Sequence, residues 1–409
     1  MSRLEELIQQ YCPDGVEFKR LEEVCEFRAG WGFPEVEQGL TEGKYPFYKV
    51  GDMNNSEMFM DAANNYISEE TSKKLKCKPA PKGTIIFPKI GATMNTNKKR
   101  ILTKPSCYDN NVMGLIAKSI NDRFLYYFFS QYKLIEFAKG TGAVPSLDTN
   151  RLKALLVPVP PLPVQEEIVR ILDNFAELQA ELQAELQKRL QQYNYYRDKL
   201  LSFNDLNGGG YAVSVEWKKL GEICLKVCSG GTPSRGKSDY FTGNIPWLRT
   251  QEVDWKDIYD TEIKITEDAV KNSSAKLIPE NCVIIAMYGA TAAKVGINKI
   301  PLTTNQACCN LQINPQKALY KYVYYWVCNQ YEHLKSLGQG SQNNLNAQTI
   351  KEYPIPVPSL EEQQRIVDIL DRFHALTTDI TAGLPAEIEA RRKQYEYYRD
   401  QLLTFKQKA

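Results

Sequence analysis

The sequence predicts an α+β chain: two mixed α/β domains separated by long paired antiparallel helices, with an internal pseudo-two-fold duplication. The first observation is self-similarity. Val157-Pro-Val-Pro-Pro-Leu-Pro-Val-Gln-Glu-Glu-Ile-Val-Arg-Ile-Leu-Asp173 returns as Ile355-Pro-Val-Pro-Ser-Leu-Glu-Glu-Gln-Gln-Arg-Ile-Val-Asp-Ile-Leu-Asp371, an offset of 198. The second is that each copy opens with short β-rich runs and turns. The third is that each copy closes with a long stretch of heptad-spaced apolar residues.

The same offset pairs Gly91-Ala92-Thr93 with Gly289-Ala290-Thr291, and Leu125-Tyr126-Tyr127-Phe128 with Val323-Tyr324-Tyr325-Trp326. Nearby offsets pair Pro46-Phe47 with Pro246-Trp247, and Gln192-Tyr-Asn-Tyr-Tyr-Arg-Asp198 with Gln394-Tyr-Glu-Tyr-Tyr-Arg-Asp400. Asn207-Gly208-Gly209-Gly210 marks the seam. The expected parts are 1–157, an N-terminal helix and first globular domain; 158–204, a central spacer helix; 205–355, a linker and second globular domain; and 356–409, a C-terminal spacer helix.

Within the globular parts, Thr84 to Phe87 and Cys282 to Ala286 read as buried strands running into glycine turns. Helices follow near 121–138 and 319–336, and their Tyr and Phe stripes read as core rather than as base-stacking platforms. The prolines Pro158, Pro160, Pro161 and Pro163, like Pro354, Pro356 and Pro358, predict an extended rigid connector that delays the helix start. Next come Ile168, Ile171, Phe175, Leu178 and Leu182, and in the second copy Ile366, Ile369, Phe373, Leu376 and Ile380. Two such seams are expected to pack against each other, with the globular parts at opposite ends. Forty helical residues would span about 60 Å. The first helix also holds three Ala-Glu-Leu-Gln units over 176–187, each adding about 6 Å. Gly383 and Pro385 interrupt the matching stretch, where a kink or break is expected.

Composition sets the bounds. With 409 residues, 43% apolar and 11% aromatic, the chain can bury several cores and is not expected to be disordered. It has no long apolar run, so no membrane span is expected. The opening MSRLEELIQQYC lacks an apolar signal core, which implies the cytoplasm. Ten cysteines without a Cys-x-x-Cys pair, and only His333 and His374, leave no expected metal site and imply reduced, mostly buried thiols. Cys308 and Cys309, adjacent on a strand, cannot both enter one core. Net charge is +2, yet ten Lys and Arg residues lie between Glu70 and Asp109 with no acidic residue among them. That stretch, interleaved with Ile85, Phe87 and Leu102, points to a polyanion.

Enzyme motifs fail on context. Gly231-Thr-Pro-Ser-Arg-Gly-Lys-Ser238 fits a P-loop pattern, but no helix is expected to follow and Pro233 removes an amide donor. Asp14, Glu17 and Lys19 lie too close in sequence for carboxylates converging from separate strands. No cofactor loop is present, so neither a catalytic residue nor a cofactor is expected.

The layout resembles the specificity (S) subunits of type I restriction–modification systems, over essentially the whole chain. The residues that carry this are Glu5-Glu-Leu-Ile8 to Tyr11-Cys-Pro-Asp-Gly-Val-Glu17, Ser229-Gly-Gly-Thr-Pro233, Gly338-Gln-Gly-Ser-Gln-Asn-Asn-Leu345, Gln363-Gln-Arg-Ile-Val367 after the Ile-Pro-Val-Pro segment, and both Tyr-Tyr-Arg-Asp-x-Leu-Leu ends. The resemblance implies a non-catalytic subunit with two target-recognition domains, each reading half of a split double-stranded DNA site. It also implies two methyltransferase subunits docked on the helices and endonuclease subunits joining for cleavage. The tetrapeptide array then sets the gap between half-sites. Ala29-Gly-Trp-Gly-Phe-Pro34 departs from its counterpart Ser229-Gly-Gly-Thr-Pro-Ser234, so the two domains are expected to use different contacts.

Chemistry nominates loop residues able to read base edges or hold phosphates. They are Lys89, Thr93, Asn95, Asn97, Lys98, Lys99 and Arg100 in the first domain. In the second they are Ser234, Arg235, Arg249, Thr250, Gln251, Tyr288, Thr291, Lys294, Gln342, Asn343 and Asn344. The competing reading is a non-catalytic protein-binding scaffold, which a salt-independent interaction would favour.

Overall fold

The computed structural model describes residues 2–139, 145–203, 215–338, 344–379 and 382–408. The seam at 207–210 and Ile380 lie outside them. The chain divides into two compact units, Met1–Gln183 with Ile388–Ala409, and Ala184–Glu387, so both boundaries fall in helical ends of the copies. Six helices organise these units: α1 (Arg3–Tyr11), α2 (Asp122–Ser130), α3 (Leu162–Leu200), α4 (Tyr320–Asn329), α5 (Leu360–Thr378) and α6 (Leu384–Leu402).

In the first unit a five-stranded sheet runs Cys25–Ala29, Val112–Ala117, Ile85–Pro88, Arg100–Leu102, Phe59–Met60. Neighbours are antiparallel except the last pair, which is parallel. The second unit repeats this order and these directions with Cys224–Ser229, Cys308–Ile313, Val283–Ala286, Val295–Asn298 and Asp257–Ile258. A three-stranded sheet also recurs, Tyr66–Ile67, Tyr45–Tyr48, Cys107–Tyr108 in one unit and Lys264–Ile265, Ile245–Leu248, Thr303–Thr304 in the other.

Both faces of each large sheet are covered, which explains why its central strands are apolar without alternation. Ile85 and Phe87 face the core that includes α2, whereas Ile86 enters a second core with Tyr48 and Met53. The adjacent cysteines resolve the same way: Cys309 joins the core with α4, and Cys308 the core with Leu248 and Ile284. The aromatic stripes are core, with Phe124, Tyr127, Phe128 and Phe129 buried in α2, and Tyr322, Tyr325 and Trp326 in α4. Both helices stop earlier than the sequence suggests. After α2 a 3-10 turn follows at Leu134–Phe137, and after α4 a short helix, Tyr331–Ser336.

The proline segments are strands, not bare connectors. Leu156–Val159 pairs antiparallel with Glu17–Arg20, and Pro354–Val357 with Glu216–Lys219. In a two-stranded ribbon each proline can turn its missing donor away from its neighbour. The long helix then starts at once: Pro163 sits in the first turn of α3, where a missing N–H costs nothing, and the Ser359 hydroxyl accepts from Glu362 N at the start of α5.

That first turn is sunk into the globular part. Gln165 is 3% exposed; its Oε1 accepts from Asn121 N at 2.8 Å and its Nε2 donates to Pro160 O at 2.7 Å. Gln363, 0% exposed, does the same with Leu319 N at 2.9 Å and Pro358 O at 2.9 Å. Asn121 and Leu319 are the residues that cap α2 and α4.

Within the first unit, α6 lies antiparallel to the start of α3. Leu402, Leu403 and Phe405 join the core that holds Val164 and Ile168, while Tyr398 stacks on Phe175 further along. Within the second unit, Leu200, Leu201 and Phe203 share the core with Ile366 and Leu370, and Tyr196 stacks on Phe373. For the opening residues of each seam, the expected packing of one seam on the other is therefore corrected. Ile168 and Ile366 face the globular cores, and Phe175 and Phe373 meet the Tyr-Tyr-Arg-Asp segments. Offset-stacked rings contribute about 0.5–1.5 kcal/mol beyond the area they bury. The second helical stretch is broken: α5 ends at Thr378 and α6 begins at Leu384. A Cβ at Gly383 would lie 2.6 Å from Ala375 O.

Gln165→Leu keeps the volume but strands a buried N–H and a buried carbonyl. We expect it to lower unfolding free energy by about 2–4 kcal/mol, read by urea unfolding. A loss below about 0.5 kcal/mol, the range of an idle surface position, would contradict this role.

Candidate nucleic-acid interface

In each unit two turns leave the sheets side by side. The buried strand Ile85–Pro88 runs to Gly91, whose φ of 70° opens the turn Gly91–Thr96; Val283–Ala286 runs to Gly289, φ 77°, and the turn Gly289–Thr291. Glycine takes this left-handed backbone without the steric cost that a side chain adds. The partner turns, Val50–Asn55 and Thr250–Glu252, follow the central strands of the small sheets. The turns are tied together by Lys98 Nζ to Asn54 Oδ1 at 2.6 Å in one unit, and by Lys294 Nζ to Asp254 Oδ1 at 2.6 Å in the other.

Several nominated side chains are occupied in building this platform. Lys99 is 3% exposed; it donates to Asn97 Oδ1 and Tyr132 O at 2.9 and 2.8 Å and lies over the Phe129 ring. Burial pulls its amine down to about 7. Asn97 Oδ1 also accepts from Leu134 N at 2.9 Å, so it pins the turn to the segment after α2. The Arg100 guanidinium donates to Ser56 O at 2.7 Å, Lys99 O at 2.8 Å and Met53 O at 3.2 Å, holding the partner turn. In the second unit Arg249 contacts Glu252 and Glu262. Gln251, with its amide oriented to satisfy both groups, accepts from Arg249 at 2.9 Å. Lys99, Arg100, Asn97 and Arg249 thus brace the turns through contacts inside the protein, although the sequence nominates them for DNA contact.

What remains outward is mostly neutral and polar. Asn95 is exposed; Thr93 is half-buried and its hydroxyl donates to Ile90 O at 2.6 Å. Gln251 and Tyr288 are exposed, while Thr250 and Thr291 are half-buried beside them. In the first unit Lys89 is half-buried just before the Gly91–Thr96 turn, and burial lowers its amine against the pull of Asp109. Ser234 and Arg235 are exposed on a separate loop before the 3-10 turn Ser238–Phe241, so the P-loop-like run leads into no phosphate-cradling helix. Gln342 and Asn343 lie outside the described residues; the Asn344 amide oxygen is buried with no hydrogen-bond partner among the described residues.

The sequence reading passed over Asn54 and Asn55, both exposed on the first unit's partner turn. The match of Pro46-Phe47 to Pro246-Trp247 points to that turn as directly as it pointed to Arg249–Gln251. The lysine-rich run is also less bare than the sequence suggests. Lys73 pairs with Glu69 and Lys74 with Glu37, leaving Lys76, Lys78, Lys82 and Lys104 exposed, without an ion-pair partner among the described residues. Among the described residues no cluster of His, Cys, Asp and Glu could hold a metal ion, and no helix is long and apolar enough to cross a membrane.

Comparison with known proteins gives a consistent match. A family model described as the type I restriction modification DNA specificity domain fits residues 13–192 and again 213–390. The chain is 40% identical over 313 residues to the Escherichia coli type I restriction enzyme EcoR124I/EcoR124II specificity subunit, covering 73% of each chain. A putative type I restriction enzyme specificity subunit of Haemophilus influenzae is 33% identical, over 70% of this chain and 73% of that one. Among solved structures, the type I restriction–modification S subunit of M. genitalium covers 95% of both chains at a TM-score of 0.54 and 16% identity. A chain from a study of type I complex assembly and conformational transition reaches a TM-score of 0.62 at 15% identity, covering 96% of this chain and 98% of that one. These two likenesses concern the fold.

Lys99 gives a signed pH test. Between about pH 7 and the ordinary lysine value of 10.5, the unfolded chain holds a proton that the folded chain lacks. Stability therefore rises with pH across that window. Lys99→Met is expected to flatten this slope in urea unfolding at about pH 7.5 to 9.5, inside the window where the two states differ in bound protons; an unchanged slope would place the amine in solvent.

Proposed function

Because the chain belongs to the type I restriction–modification DNA specificity family, we propose that it reads a bipartite double-stranded DNA target and directs two methyltransferase subunits and the endonuclease subunits to it. A specificity subunit of this family recognises DNA, assembles with other subunits and is not itself catalytic. In our reading, 1–157 and 205–355 hold the target-recognition domains, 158–204 and 356–409 are the spacer helices, and the complex works in the cytoplasm.

The observation that carries this reading is one platform present twice with different outward residues. Asn54, Asn55, Thr93 and Asn95 occupy it in the first unit, and Gln251, Tyr288 and Thr291 in the second. Amides and hydroxyls on rigid turns discriminate base edges, and differing sets on one frame suit two different half-sites. Exposed Lys76, Lys78, Lys82 and Arg235 are available to phosphates, which set position rather than sequence. The Ala-Glu-Leu-Gln array lies in the unbroken helix α3, where the length removed by deleting a unit is fixed at about 6 Å.

Deleting Ala180–Gln183 is expected to leave both half-sites intact and shorten the unspecified gap between them. Sequencing methylated positions in cells expressing the variant with its partner subunits checks this, and altered half-sites would refute it. A steep fall of affinity with salt, slope about −0.9 per phosphate contacted, separates DNA reading from a protein scaffold, whose slope stays near zero.

Thr93→Ala with Asn95→Ala is expected to relax sequence preference in one half-site and leave the other alone. Each lost base contact should cost about 1–3 kcal/mol of discrimination, measured by competition with substituted duplexes. Equal relaxation of both half-sites would refute the assignment.

A further inference from the structure

Each long helix is fastened to its globular part at a second point beyond the buried glutamine. In the first unit Asp173 Oδ1 accepts from Tyr127 Oη at 2.6 Å and pairs with Arg123 Nη2 at 2.6 Å. In the second, Asp371 Oδ1 accepts from Tyr325 Oη at 2.6 Å and Asp371 Oδ2 pairs with Lys321 Nζ at 2.5 Å. All three members match at the offset of 198: Asp173 with Asp371, Tyr127 with Tyr325, Arg123 with Lys321. The tyrosine rings are 1% and 3% exposed, so their hydroxyls have fixed positions. Gln165 and Asp173 lie about 12 Å apart along the helix, as do Gln363 and Asp371. One tie is a pivot. Two ties separated along an axis fix an angle.

The angle matters because a helix is a lever. Roughly 27 residues separate Asp173 from the end of α3, about 40 Å. A tilt of about 5° at the joint therefore shifts the far end by about 3.5 Å, one base step. A loose joint would accept targets whose gap is one base pair too long or too short, without touching any side chain that reads a base.

We propose that Asp173, Tyr127 and Arg123, with Asp371, Tyr325 and Lys321, are positioning residues that make the complex selective for one gap length. This rests on the bipartite reading above and adds where gap selectivity resides: not in helix length alone but in the stiffness of two head-to-helix joints. None of the six lies on the turns assigned to DNA.

The test uses the full chain assembled with its partner subunits. Duplexes carry both half-sites at the preferred gap and at gaps one base pair longer and shorter, and methylation is scored for each. The wild type is expected to reject the altered gaps. Tyr127→Phe with Tyr325→Phe removes only two hydroxyls; it should bring the altered gaps to within about tenfold of the preferred one, a tenfold change being about 1.4 kcal/mol, with half-sites unchanged. Arg123→Lys should stay selective, since Lys321 already fills that place in the second copy. Should the phenylalanine pair not assemble, Asp173→Asn with Asp371→Asn removes the charge while keeping the shape, and the same broadening is expected. Variants that assemble, methylate and remain as selective as the wild type overturn the proposal. A wild type that shows no two-part target at all overturns the functional reading instead.

Discussion

Burying the first turn of each long helix inside a globular part is the constraint on which the rest depends. A helix that merely touched a domain could pivot on it, and a buried polar group without a partner costs free energy. Gln165 and Gln363 meet both conditions, each bonding the N-terminal cap position of an aromatic helix and a proline carbonyl between its own proline strand and long helix. Aromatic helix, proline strand and long helix thereby become one body. The Tyr-Tyr-Arg-Asp ends complete it, laying Tyr398 on Phe175 in one unit and Tyr196 on Phe373 in the other.

This frame frees the turns from structural duty on their outer side. Arg100 spends its donors on carbonyls and Lys99 its amine on a carbonyl and a side-chain amide, so the turns Val50–Asn55 and Gly91–Thr96 hold still while their exposed atoms stay open to solvent. A surface kept rigid before binding loses less entropy on meeting its target. The same division holds in the second unit, where Arg249 is held by acidic neighbours and Lys294 by Asp254. On the proposed function, specific reading by this arrangement would fall to amides and hydroxyls, with lysines at the margin supplying charge.

Much of the fold is legible in the sequence because duplication doubles every signal. The offset of 198 alone aligns the buried strands, the glycine turns, the aromatic helices and the starts of the long helices. Pairing partners are less legible. The seam at Phe175 and Phe373 is written in heptads, but its aromatic complement sits hundreds of residues away in sequence, and periodicity does not name it. The proline strands are missed because proline is read as a breaker, while a two-stranded ribbon tolerates it. For the site, loop position is legible and side-chain direction is not. Lys98, Lys99 and Arg100 are consecutive cations, yet burial sends Lys99 toward Phe129 and geometry sends Arg100 toward backbone carbonyls. Charge counting treats the three alike.

On the proposed function, two equivalent platforms, one per unit, lie on DNA together. Hydrogen exchange of the assembled complex, with and without a duplex carrying its target, tests this most directly. Slowed exchange is expected over 50–56 and 91–97, and equally over 249–254 and 288–294, with the buried strands behind them unchanged. Protection confined to one unit, or absent from all four turns while the duplex is bound, would contradict it.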